Sequence, residues 1–106
     1  MKNKIKKIKN LEELNRLKIG EVIQSYDDRK IVNLVYEGVD RSFNNRINFL
    51  EIPNSENLKI IFERSYDLKY LKFNKGMITQ SLYLPLFYRN NNKNQEKLNL
   101  IKGVLN

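Results

Sequence analysis

Apolar positions along the chain change their spacing once. Leu11, Leu14 and Leu17 recur every third residue, the stripe of one face of a short helix. Asn10 stands where an N-cap accepts from the amides of the first turn, and Glu13, three residues on, suits the carboxylate of a capping box. Gly20 can end that segment in a left-handed conformation. From Glu21 onward the period is two. Residues 22–26 and 29–36 predict strands joined at Asp27 and Asp28, with Val32, Leu34 and Tyr36 on one face. Residues 47–52 predict a third strand, ended by Pro53 and the polar loop 54–57. Leu58, Ile60 and Phe62 alternate in a fourth, and residues 68–73 predict a fifth that turns at Asn74, Lys75 and Gly76. Residues 78–88 form the longest run, with Leu82, Leu84 and Leu86 inward and Pro85 marking an edge or a bulge.

The run Leu17, Lys18, Ile19, Gly20, Glu21, Val22, Ile23 resembles the opening of SH3-like small barrels. In those, a glycine turns the chain into the first strand, followed by an acidic and then an aliphatic residue; the turn needs the positive φ that glycine tolerates. The fold expected is α+β and mainly β: a short N-terminal helix, then a curled antiparallel sheet or a small SH3- or OB-like barrel of five or six strands. One globular unit spans residues 10–88, preceded by a basic segment, 1–9. Residues 89–97, with Asn90, Asn91 and Asn92 in succession, read as a polar linker. It leads to an apolar segment, 98–106, docked as a strand or short helix on the same unit or offered to a partner. Gly103 weighs against the helix.

At 106 residues the chain has room for one core. Cysteine and histidine are both absent, which excludes disulfides, thiolate metal sites and thiol nucleophiles, and removes the commonest general base and metal ligand. No glycine-rich phosphate loop occurs. No cofactor and no catalytic residue are expected. Asp27 and Asp28 read as a hairpin turn, and Glu12 and Glu13 as first-turn carboxylates of the helix. The one enzymatic alternative is RNA cleavage without metal or histidine, for which Arg64, Tyr66, Lys69 and Tyr70 supply the residue types. Exposed lysine and tyrosine titrate near pH 10, poorly matched to base catalysis at pH 7.

The charge of +8 is unevenly spread. Residues 1–10 carry +5 from Lys2, Lys4, Lys6, Lys7 and Lys9; residues 11–70 carry −2; residues 71–106 carry +5. Two basic ends around a near-neutral body suit a phosphate backbone, gripped through counterion release. Lys72, Lys75, Tyr83, Phe87, Tyr88 and Arg89 set aromatic and cationic groups side by side, the pairing that single-strand binders use. The expected function is therefore a non-enzymatic binding protein acting on nucleic acid or nucleoprotein. Sixteen asparagines, fourteen lysines and no alanine point to an AT-rich genome, a bias that itself raises lysine content. From it comes a second expectation: a phage- or plasmid-encoded inhibitor of anti-defence or anti-CRISPR type, binding a host protein complex through Tyr83, Phe87 and Arg89 or the apolar tail. Residues 1–9 contain only Ile5 and Ile8 among the lysines, so no secretory leader and no membrane attachment are expected. A cytoplasmic protein follows, a monomer or an edge-strand dimer.

Overall fold

The first three alternating stretches form strands, over Val22–Asp27, Lys30–Asp40 and Arg46–Glu51. Leu58 and Ile60 of the fourth lie outside the described residues, and a strand runs over Phe62–Asp67 instead. Leu68–Tyr70 is a 3-10 turn before the strand Leu71–Asn74, and the stretch 78–88 holds parts of two separate strands, Met77–Gln80 and Phe87–Asn90. All of these strands belong to one sheet. The computed structural model describes residues 4–27, 30–40, 42, 45–53, 61–80, 87–90 (main chain only) and 94–105. In chain order the elements are β1 (Ile5–Lys6), α1 (Leu11–Asn15), β2 (Val22–Asp27), β3 (Lys30–Asp40), β4 (Arg46–Glu51) and β5 (Phe62–Asp67). A 3-10 turn (Leu68–Tyr70), β6 (Leu71–Asn74), β7 (Met77–Gln80), β8 (Phe87–Asn90) and α2 (Gln95–Leu105) follow. The strand order is β6-β7-β2-β3-β4-β5-β8, with β1 also paired to β2. Neighbours are antiparallel except β1 with β2 and β2 with β7, which are parallel.

Three expectations are corrected here. The sheet is mixed, not purely antiparallel, and holds eight strands among the described residues, not five or six. It is open, with β6 and β8 at its two ends, and no closed barrel forms. A strand, not a helix, leads the chain, and α1 is a five-residue turn. Asn10 does accept from the Glu13 amide at 2.9 Å. Leu14 alone in α1 is buried, however; Leu11 stays 48% exposed, and Leu17, which packs against the inner core, follows the end of the helix. The substantial helix is α2, at the other end. Gly103 there costs about 1 kcal/mol, while burying Ile101 and Val104 contributes about 1.5–3 kcal/mol each. The stretch read as a linker thus holds the end of β8 and the first turn of α2.

The sheet is strongly curled. Strands β2 and β5 are three steps apart, about 14 Å in a flat sheet. Yet the Tyr66 hydroxyl on β5 donates to Ser25 Oγ on β2 at 2.8 Å. Such a curl has an inside and an outside. Inside lie Ile23, Leu34, Ile47, Phe49 and Tyr66, with Val32 and Tyr36 as the period-two pattern predicts, capped by Ile8 and Leu14. Phe49 sits between Tyr36 and Tyr66, ring centroids 5.7 and 5.8 Å away. Outside, Val22, Val35 and Leu50 are covered by Ile101 and Val104 of α2. A bulge between Tyr36 and Gly38, where glycine adopts φ +129°, helps β3 turn. Leu82, Tyr83, Leu84, Pro85 and Leu86, assigned above to a sixth strand, lie outside the described residues.

Candidate nucleic-acid interface

The N-terminal lysines are held in place by the two isoleucines among them. Ile8 is 2% exposed in the inner core, and Ile5 packs against the outer one. Between them, β1 pairs with β2, Ile5 opposite Val22 and Lys6 opposite Ile23. The Lys6 ammonium forms an ion pair with Glu21 on the strand's approach, and that contact lowers the Glu21 carboxyl below its ordinary pKa although partial burial opposes it. Lys6 is therefore committed to the fold.

The chain then crosses the β6–β7 hairpin. Asn74 pairs with Met77, and the two residues between them, Lys75 (φ +53°) and Gly76 (φ +79°), are both left-handed, the conformation a type I′ turn demands. A Cβ at Gly76 would lie 2.9 Å from Lys7 Cβ, so only glycine lets the segment pass so close. The Ile8 amide donates to the Gly76 carbonyl at 2.9 Å and fixes the crossing. As a result Lys7 and Lys9 meet Lys75, 66 or more residues away in sequence, and the three line one open groove of about 510 Å³ with Phe73, Asn74 and Gly76.

Charge at this groove is not neutralised internally. Lys4, Lys7, Lys9, Lys72 and Lys75 are exposed, and none makes an ion pair among the described residues. Glu13 is turned to the Lys9 main-chain amide at 2.9 Å, and Glu12 to Arg16 at 2.6 Å. Lys72 is exposed on β6 while Leu71 and Phe73 on either side pack against the inner core, so it flanks the groove and does not line it. Phe73 is half-buried, as much a core residue as a groove wall.

Other sequence-predicted residues are placed elsewhere by their main chain or lie outside the described residues. Phe87, Tyr88 and Arg89 have their main chain in β8, paired with Ser65, Arg64 and Glu63 at the opposite end of the strand order from Lys72 and Lys75. Lys2 and Tyr83 lie outside the described residues. The groove also uses Asn74, Gly76 and Phe73, which the sequence reading did not assign to a site. The signal for them was the Asn-Lys-Gly turn, which reveals the hairpin but not what crosses it.

A second polar cluster lies inside the curl. Arg64, 5% exposed, donates from Nη1 to Asp27 at 2.8 Å and from Nη2 to Glu51 at 3.1 Å, and its Nη1 lies 3.5 Å from the Tyr66 hydroxyl. Burial works against the guanidinium charge, but Tyr66, Glu51 and Asp27 outweigh it and hold its pKa above the ordinary value. Burial raises the Tyr66 phenol, partly offset by its hydrogen bonds with Ser25 and Arg64. This cluster ties three strands together. Two of the four residues considered for RNA cleavage, Arg64 and Tyr66, are thus inside, whereas Lys69 and Tyr70 are exposed, so the four do not share one reaction site. On the outer face Lys97 of α2 pairs with Glu37 at 3.0 Å and with Glu63, fastening the helix to the sheet.

No group of acidic, histidine or cysteine side chains among the described residues is arranged to hold a metal ion. No described helix is long and apolar enough to cross a membrane. No protein-family model matches the chain, and no curated protein or solved structure matches it significantly.

Proposed function

We propose that this chain is a non-enzymatic, cytoplasmic binding protein that takes a nucleic-acid backbone on the surface formed by residues 4–9 and the β6–β7 hairpin. The observation that supports this is the convergence of Lys7, Lys9 and Lys75 on one groove, with no carboxylate among the described residues paired to any of them. Positive groups with internal partners gain little from phosphate. Groups without them, crowded on one surface, release condensed counterions when a polyanion binds. Lys4 and Lys72, both exposed, extend the surface on either side.

The test is binding of labelled single-stranded RNA, single-stranded DNA and duplex DNA, measured by fluorescence anisotropy at about 50 and about 200 mM salt. Four phosphate contacts on a single strand give a log–log slope near −3, so affinity falls roughly fiftyfold across that interval. Absence of binding at the lower salt, or affinity indifferent to salt, overturns the reading. One observation favours a protein partner instead: Tyr26 and Ile31, opposite each other on β2 and β3, are 43% and 55% exposed. Binding through that pair is shallow in salt and is lost in Tyr26→Ala, with the lysines unimportant.

A further inference from the structure

The two stretches of chain that line the lysine groove also line a second groove. Beyond Lys9, the N-terminal wall becomes α1, with Leu11 and Asn15. Before Phe73, the opposite wall is the 3-10 turn with Lys69 and Tyr70. These residues, with Asn45 and Asp67, line a second open groove of about 730 Å³. Segments 7–15 and 67–76 thus contribute to both grooves, a candidate track with cationic groups in one and an aromatic ring and side-chain amides in the other.

The far end has the parts of a base-binding platform. Tyr70 is 40% exposed, and the Lys69 ammonium lies over its ring 5.5 Å from the centroid. The side-chain amides of Asn15 and Asn45 make no hydrogen bond among the described residues, and both residues are exposed. Asn45 is fixed by its main chain, left-handed at φ +47° with its carbonyl accepting from the Leu68 amide at 3.2 Å. Asp67 accepts from the Lys69 amide at 2.9 Å and keeps a carboxylate in the wall. With Lys69 opposite in charge to Asp67, that groove has no net charge from its lining, whereas Lys7, Lys9 and Lys75 make the other one cationic, which favours phosphates there. An aromatic face with free amides beside it suits a base whose ring and Watson–Crick edge are both accessible. A base stacked in a duplex offers neither.

Resting on the nucleic-acid reading above, we infer that the track takes a single strand, its phosphates on Lys7, Lys9 and Lys75 and one unstacked base on Tyr70 between Asn15 and Asn45. RNA and DNA share this chemistry, so the experiment carries both.

The probes are labelled oligouridylate and oligothymidylate of about twelve nucleotides, within the span of one small binding domain, and a duplex of the same length. Affinities are measured at about 50 mM salt for the natural protein, Tyr70→Ala and Tyr70→Phe, with thermal unfolding showing each variant folded. Expected are preference for a single strand over the duplex, a loss of roughly 10- to 100-fold in Tyr70→Ala, and near-natural affinity in Tyr70→Phe. The salt slope stays unchanged in both variants, because no phosphate contact is removed. A duplex bound as tightly as either single strand, or Tyr70→Ala bound as tightly as the natural protein, refutes the inference while salt-steep binding keeps the broader reading intact. No binding of any probe refutes both.

Discussion

Removing the three groove cations together, as Lys7→Gln, Lys9→Gln and Lys75→Asn, is expected to weaken single-strand binding roughly 100-fold at 0.1 M salt. Each lost phosphate contact flattens the log–log slope by about 0.7, so three take away about 2, and at 0.1 M that is about two decades of affinity. Asparagine is chosen at position 75 because the residue there is left-handed, a conformation asparagine adopts more readily than glutamine. The variant keeps Ile8 in the core and the Lys6–Glu21 ion pair, so its folding is expected to survive. Lys97→Gln lowers net charge elsewhere, at a lysine already paired with Glu37 and Glu63, and is expected to leave the slope unchanged. Anisotropy titrations over a salt series check both. A slope that falls in Lys97→Gln by about a third of its fall in the triple variant, in proportion to the charge removed, would mean that net charge alone, and not this groove, governs binding.

Arg64→Ala is expected to destabilise the fold by about 3 kcal/mol, a fall of roughly 15 °C in thermal midpoint for a domain of this size. The loss of the favourable pair is the smaller part. Asp27 and Glu51, with side chains 21% and 16% exposed, would be left as carboxylates facing each other with little water to screen them, and the Tyr66 hydroxyl would lose a neighbour. Arg64→Lys recovers little, because one ammonium cannot replace a planar fork that donates to two strands at once. The damage also reaches the binding surface. The Tyr26 carbonyl, next to Asp27, accepts from Thr79 on β7 at 2.9 Å, and β7 forms the hairpin that carries Lys75. By contrast Arg16→Ala breaks a pair exposed on both sides and leaves the midpoint almost unmoved. Thermal and urea unfolding of the three variants read these effects.

The mainly β character was legible because Val32, Leu34 and Tyr36 alternate, and all three are buried inside the curl. The Asn10 cap was legible too, since capping depends on neighbours three residues away. What the pattern could not reveal depends on partners distant in sequence. Ile5 and Ile8 are too few for membrane attachment, and nothing in their spacing reveals that each packs with a different core. Arg64 and Tyr66 were legible only as residue types, because a buried arginine carries no apolar signal; the curl brings Asp27 within 2.8 Å of Arg64. For the site, the residue types were readable and the grouping was not. Lysines 7, 9 and 75 meet because Gly76 lets the chain cross, while Phe87, Tyr88 and Arg89 belong to the other end of the strand order.

The most direct test of where ligand binds is a ¹H–¹⁵N NMR titration of the natural protein with oligouridylate at about 50 mM salt. The expected result is amide shifts confined to residues 4–16, Asn45 and residues 67–76, with β8 and α2 unmoved. Shifts centred on 87–90 or on α2, or no shifts at all, would contradict the assignment of this groove as the nucleic-acid interface.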